Sequence, residues 1–143
     1  MFDISQLETQ DTAKYHVKDA KGRLQYQQDG SPLTITAHGP GTKRAAQAKF
    51  AYDAKRSERA LGKIGGKSDE MTEEQDRRER AEYLGQLVDS LDGFNHEGGA
   101  TGLFKNPKLR YLAEDFQNWW NDAGNFNSSS ANDLSSSSDT QPG

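Results

Sequence analysis

Three histidines, His16, His38 and His96, are the side chains best suited to metal or proton chemistry in this chain. A metal-binding pair on one helix face or strand would need HxH, HxxxH or HExxH spacing, and none is present. His16 and His38 fall in two segments that read as strands, so they are placed to approach each other across a sheet. No carboxylate partner completes that pair. Surface imidazoles are expected, with no metal site. The glycine clusters "GPG", "GKIGG" and "EGGATG" match neither GxxxxGK[ST] nor a post-strand GxGxxG, so they read as linkers rather than phosphate cradles. A GxSxG nucleophile elbow is absent. Carboxylates are abundant but fall on a helix expected to be solvated, where no apolar pocket raises their pKa toward that of a general acid. No catalytic, cofactor-binding or metal-ligating residue is therefore assigned, and the protein is expected not to be an enzyme.

Two further groups carry recognition rather than reaction chemistry. "KRAAQAKFAYDAKRSERALGK" interleaves Lys and Arg with Phe50 and Tyr52 at helical spacing, a pattern able to grip nucleic acid. The acidic segment beside it, a pI near 5.4 and a formal net charge of -4 argue against that use. "LFKNPKLRYLAEDFQNWWNDAGNF" concentrates aromatic surface. Leu109, Leu112, Ala113, Phe116, Trp119 and Trp120 recur at i, i+3, i+4 and i+7, the mark of an amphipathic helix. Adjacent tryptophans stand about 100° apart on a helix. One can lie in the core while the other sits at its margin, and a half-exposed Trp is a good interface anchor. Leu109, Leu112, Phe116, Trp119, Trp120 and Phe126 are the expected partner-binding residues.

The elements that position these groups follow from period and punctuation. In "TAKYHVKD", Ala13, Tyr15 and Val17 alternate with polar residues, and "LTITAH" puts Leu33, Ile35 and Ala37 on one face. "DGSP" between them is a turn, and "RLQYQ" supplies a short middle strand, giving a β-hairpin or three-stranded meander over residues 1–40. Thr42 caps a helix whose apolar stripe reads Ala46, Phe50, Ala54, Ser57 and Leu61. "GKIGGKSDE" breaks it, because each glycine costs a helix about 1 kcal/mol. "TEEQ", Thr72 to Gln75, fits a capping box for a second helix carrying Ala81, Leu84, Leu87, Val88 and Leu91 and fading by Gly93.

Charge separates the two helices. Lys43 to Lys67 holds eight basic and two acidic residues; Ser68 to Asp92 holds nine acidic and three basic ones. A short polar loop favours antiparallel neighbours, so residues 42–94 are expected to form a charged helical hairpin, with Phe50 near Leu84 and Ala46 near Val88. Exposed ion pairs contribute only ~0–1 kcal/mol each, so charge sets register more than stability. "NHEGGATG" reads as a loop. Asn106 caps, with Pro107 at the first helical position, and Gly124 stops the helix within residues 100–126. The expected whole is a single small α+β domain over residues 1–126, followed by a disordered Ser-rich tail over residues 127–143.

Composition limits the rest. Hydrophobic residues make up 31% and mean hydropathy is -1.03, against roughly 45–50% apolar residues in average globular domains, so the core must be small. With no cysteine, no disulfide scaffold or thiolate site can form. "MFDISQLETQ" has neither the basic lead nor the apolar run of a signal peptide, and nothing approaches the ~18 apolar residues of a membrane span.

The ordered set of motifs resembles the tail assembly chaperones of tailed bacteriophages and prophages. The opening "MFD…L…DT", the "KD" strand end, the "DG.P.TIT" hairpin, the "GPG[ST]K" entry into a basic helix, "EQDRRERAEYLGQLVDSLDGF" and the closing "L[FY]..P" element with "W.NF" carry the likeness, over roughly Met1 to Phe126. It implies a non-enzymatic, cofactor-free protein of the host cell cytoplasm, absent from the mature virion. It also implies that the protein binds the phage tape measure protein, keeps it soluble and assists tail tube assembly. In some relatives a frameshifted form recruits the tail tube protein, and a homo-oligomer is compatible with the role. Such a client requires exposed apolar anchors, so Trp120→Ala and Phe126→Ala are expected to weaken its capture with little change in secondary structure. The alternatives are a structural virion component (a minor tail or head–tail joining protein) and, behind it, a small nucleic-acid-binding protein.

Overall fold

A computed structural model of the chain describes residues 2–64 and 73–127. The glycine linker after Ile64, the cap at Thr72 and the serine-rich tail from Ser128 onward lie outside the described residues. Among the described residues the architecture is α+β, with a three-stranded antiparallel sheet and four α-helices. Strands β1 (Thr12–His16) and β2 (Thr34–His38) pair in the register Ala13↔Ala37 and Tyr15↔Ile35, as their alternation requires. Ala13, Tyr15, Ile35 and Ala37 all point into the core.

The third strand is not "RLQYQ". That segment makes only the isolated bridges Lys18↔Leu24 and Tyr26↔Pro32. The sheet is instead completed by β3 (Val88–Asp92), which pairs Leu91 with Ile35 and Ser90 with Thr36, with an irregularity between Thr36 and Ala37. The second helix therefore ends at Gln86 rather than near Gly93. Val88 and Leu91 fit a helical stripe, but in the strand Ser90 and Asp92 gain partners on β2. Asp92 accepts hydrogen bonds from Thr34 Oγ1 (2.8 Å), Thr36 Oγ1 (2.6 Å) and Ser90 Oγ (2.7 Å). Tertiary pairing thus overrides local periodicity.

Helix α1 (Lys43–Ile64) starts as expected: Thr42 Oγ1 accepts from the Ala45 amide at 3.2 Å. It runs antiparallel to α2 (Glu73–Gln86), but with a different face inward. Ala45 and Ala48 are buried, and Tyr52 stacks on Tyr83 with centroids 4.7 Å apart. Lys55 meets Glu82 at 3.2 Å, Arg56 meets Asp76 at 3.6 Å, and the Arg59 guanidinium grips Glu79 with two nitrogens. The Arg59 hydrogen bonds hold the Glu79 carboxyl below its ordinary range. Pairing these cations with the acids of α2 turns the Phe50 side outward, which corrects the expected contact of Phe50 with Leu84. Phe50 is 77% exposed while Leu84 is buried.

Residues expected to be loop form a further helix, α3 (Gly99–Lys105), which buries Leu103 and Phe104. It lies so close to α2 that a β-carbon on Gly85 would stand 2.2 Å from Thr101 Oγ1 and 3.1 Å from the Thr101 backbone. Glycine serves here by absence of a side chain. Asn106 then caps a 3-10 turn at Pro107–Leu109, its side chain accepting from the Lys108 amide at 3.0 Å. Helix α4 (Arg110–Trp120) follows and buries Leu112, Ala113, Phe116 and Trp120, with Phe116 against Tyr15 of β1 and Trp120 bonded to the His38 carbonyl of β2. A last turn, Ala123–Phe126, returns Phe126 to the core, and the Gln10 amide donates to its carbonyl at 2.5 Å.

Candidate functional surface

The six residues expected to bind a partner are mostly interior. Leu112, Phe116 and Phe126 are buried, and Trp120 retains only 9% of its surface. Its indole Nε1–H donates to the His38 carbonyl at 2.7 Å, so even its polar edge is satisfied within the fold. Phe116 meets Tyr15 edge-on at 5.6 Å and Phe104 at 5.1 Å. Trp119 is partly buried, edge-on to Tyr15 at 5.5 Å and 5.1 Å from Phe126. Of the two tryptophans, Trp120 is the core residue and Trp119 lies at the margin. Leu109 is also half-buried.

This burial corrects the assignment of the set as an exposed anchor surface. In a chain so poor in large apolar residues, the apolar face of the amphipathic helix is consumed in the protein's own core. Burial and the neighbouring Asp115 carboxylate, which accepts from the Tyr15 hydroxyl, push the Tyr15 phenol far above its ordinary range. It is a fixed donor in the core.

Exposed apolar side chains lie elsewhere. Phe2, Ile4 and Leu7 are 64%, 67% and 67% exposed. Ile4 and Leu7 stand on a 3-10 turn, Ile4–Leu7, which is capped by Asp3 and buries none of its residues, and Phe2 directly precedes the cap. Leu24 and Tyr26 are exposed on the irregular connection between β1 and β2, where Tyr26 meets the His16 ring at 4.9 Å. Phe50 and Leu61 (67% exposed) share the outer face of α1. Single exposed apolar residues are ordinary, but grouped ones mark interaction surfaces.

Sequence reasoning passed over Phe2, Ile4 and Leu7. Their only signal was three large apolar residues among six with no strand or helix alternation to bury them.

The histidines are separated. In the β1–β2 register His16 pairs with Thr34 and His38 with Thr12, so the two imidazoles sit four residues apart along the ladder, about 13 Å. His16 Nε2 donates to the Gln25 carbonyl at 2.8 Å, His38 lies 3.7 Å from Asp89, and His96 bonds Glu97 and Asn106. Among the described residues, no group of three or more His, Cys, Asp or Glu could hold a metal ion. No described helix is long and apolar enough to cross a membrane.

A cleft of about 300 Å³ opens between α2 and α4, with Leu84 and Phe104 among its lining residues and Arg77, Arg80 and Arg110 beside them. Each arginine is engaged by a carboxylate: Arg77 by Glu73 at 3.8 Å, Arg80 by Asp76 at 3.6 Å, and Arg110 by Glu73. The charges are mutually compensated, and no Ser, Thr, Cys or His lines the cleft. Comparison of the chain with protein-family models, with curated proteins and with solved structures found no match.

Proposed function

We propose that this protein is a non-enzymatic tail assembly chaperone of a tailed bacteriophage. In this reading it binds the tape measure protein in the host cytoplasm and assists tail tube assembly around it. The ordered motifs from "MFD" to "W.NF" support the reading. The observation that carries it is the N-terminal segment, which displays Phe2, Ile4 and Leu7 within six residues, three of the exposed large apolar side chains of the described residues.

A long helical client with an apolar stripe aggregates unless that stripe is covered, and covering it takes apolar surface held in water by a soluble body. Burying a large apolar side chain contributes about 1.5–3 kcal/mol, so three within six residues supply useful affinity after ordering costs. The client contact is thus assigned to the N-terminal turn in place of α4. The tube protein would enter through a frameshifted form.

Co-expression with the tape measure protein of the same phage tests this. The triple variant Phe2→Ser, Ile4→Ser, Leu7→Ser should fold with an unchanged thermal midpoint, because the turn buries nothing. It should leave most of the client in the insoluble fraction, where the unaltered chain keeps it soluble and co-purifies with it. Full client recovery by the folded triple variant overturns the assignment.

A further inference from the structure

The N-terminal segment carries charge as well as apolar surface, and the two are arranged together. Ile4 and Leu7 are three residues apart on a 3-10 turn, so they stand one above the other, about 6 Å apart along its axis. Apolar residues at i and i+4 on an α-helix have the same spacing. Asp3 caps the turn at one end and Glu8 at the other, so the apolar pair is bracketed by carboxylates. Asp11 follows, and all three acids are exposed. Residues 2–11 contain no Lys, Arg or His.

The surrounding fold leaves this charge in place. The next basic residues along the chain are turned elsewhere: Lys14 lies 3.7 Å from Asp92 and Lys18 lies 3.4 Å from Asp115. The base of the segment is held where the Gln10 amide donates to the Phe126 carbonyl, and where Thr9 lies against Gly41. Those anchors bring one further charge of each sign: Asp122, which caps the turn carrying Phe126, and Lys43, which opens α1. Asp3, Glu8, Asp11 and Asp122 thus stand against Lys43 alone. Hydrogen bonds from the Ser5 hydroxyl (2.7 Å) and amide (3.1 Å) hold the Asp3 carboxyl below its ordinary range, so it stays ionised.

Resting on the reading of this segment as the client contact, we propose that the occupant it selects is a basic amphipathic helix, one whose apolar i, i+4 pair is flanked by Lys or Arg. Apolar burial supplies affinity without regard to sequence, and the carboxylates at both ends of the pair confer the choice. A helix with acidic flanks would bring like charges onto Asp3 and Glu8. Because these carboxylates are solvated, their attraction is screened beyond about 10 Å at 0.1 M salt. Capture is therefore salt-sensitive.

The test uses the full-length protein and two fluorescein-labelled amphipathic peptides of about 18 residues, long enough to form a helix. Both carry the same leucine stripe, flanked by Lys in one and by Glu in the other. Fluorescence anisotropy should show the Lys-flanked peptide binding at least about tenfold more tightly at about 0.05 M salt, and the difference should fall below about threefold at about 0.5 M. E8Q/D11N should weaken the Lys-flanked peptide at least about threefold with circular dichroism unchanged. E58Q/E74Q removes the same net charge from exposed positions on α1 and α2 and should leave its affinity unchanged. Equal affinity of the two peptides, an equal loss in E58Q/E74Q, or failure of the Lys-flanked peptide to bind overturns the proposal. If the peptides bind equally but the folded F2S/I4S/L7S variant loses both, the charge preference falls and the client contact stands. A Lys-flanked peptide that binds this triple variant as tightly as the unaltered chain overturns both.

Discussion

Phe116→Ala should destabilise the domain by about 3–5 kcal/mol, the usual cost of emptying a fully buried phenylalanine site. The side chain is wholly enclosed and lies against Tyr15, Phe104 and Trp119. Those neighbours come from β1, α3 and α4, and interlocked rings cannot easily collapse into the space left. Small domains hold only about 5–15 kcal/mol of total stability, so urea denaturation should show a large fall in midpoint with little change in slope. A partner-facing Phe116 would instead leave the midpoint where it was. The same contrast applies to Trp120, whose removal also strands the His38 carbonyl that its indole satisfies.

Asp92→Asn should cost about 1–3 kcal/mol near neutral pH, the penalty for leaving buried polar groups without partners. One carboxylate takes three hydroxyl donors from β2 and β3, and Lys14 Nζ stands 3.7 Å away. An amide nitrogen in place of one oxygen can accept from none of them. Burial is the largest single influence on Asp92 and works to raise its pKa. The bonds from Thr36, Ser90 and Thr34, with the Lys14 charge, together outweigh it and hold the carboxyl below its ordinary value of 3.8. A carboxyl depressed in the folded state contributes stability that is complete above its unfolded value and is lost as pH falls through the folded one. The gap between Asp92→Asn and the unaltered chain should therefore be full at pH 7 and shrink below 3.8. Denaturation series at both ends of that range measure it; a gap independent of pH contradicts the assigned role.

Several elements were legible in the sequence because their local signals agree with their tertiary settings. Alternation placed β1 and β2, Thr42 marked the start of α1, and Asn106–Pro107 marked the turn into α4. The stripe of α4 identified residues with a common face, but periodicity says only that a face is apolar, not whether the protein or a partner covers it. Two elements were misread for physical reasons. Val88 and Leu91 satisfy either period, and the choice of strand rests on Asp92 finding Thr34 and Thr36, which are distant in sequence. Helix α1 carries two stripes. The larger one, with Phe50 and Leu61, looks the better core, yet the ion pairs from Lys55, Arg56 and Arg59 select the thinner alanine face. The candidate contact surface escaped notice because Phe2, Ile4 and Leu7 have no periodicity at all.

Hydrogen exchange on this protein mixed with the tape measure protein proposed as its client tests the central claim most directly. Amides of residues 3–9 should gain protection on binding, while those of α4, already shielded by the core, should exchange as in the free protein. Protection gained in α4 alone, with the N-terminal turn exchanging freely in the complex, would contradict the account.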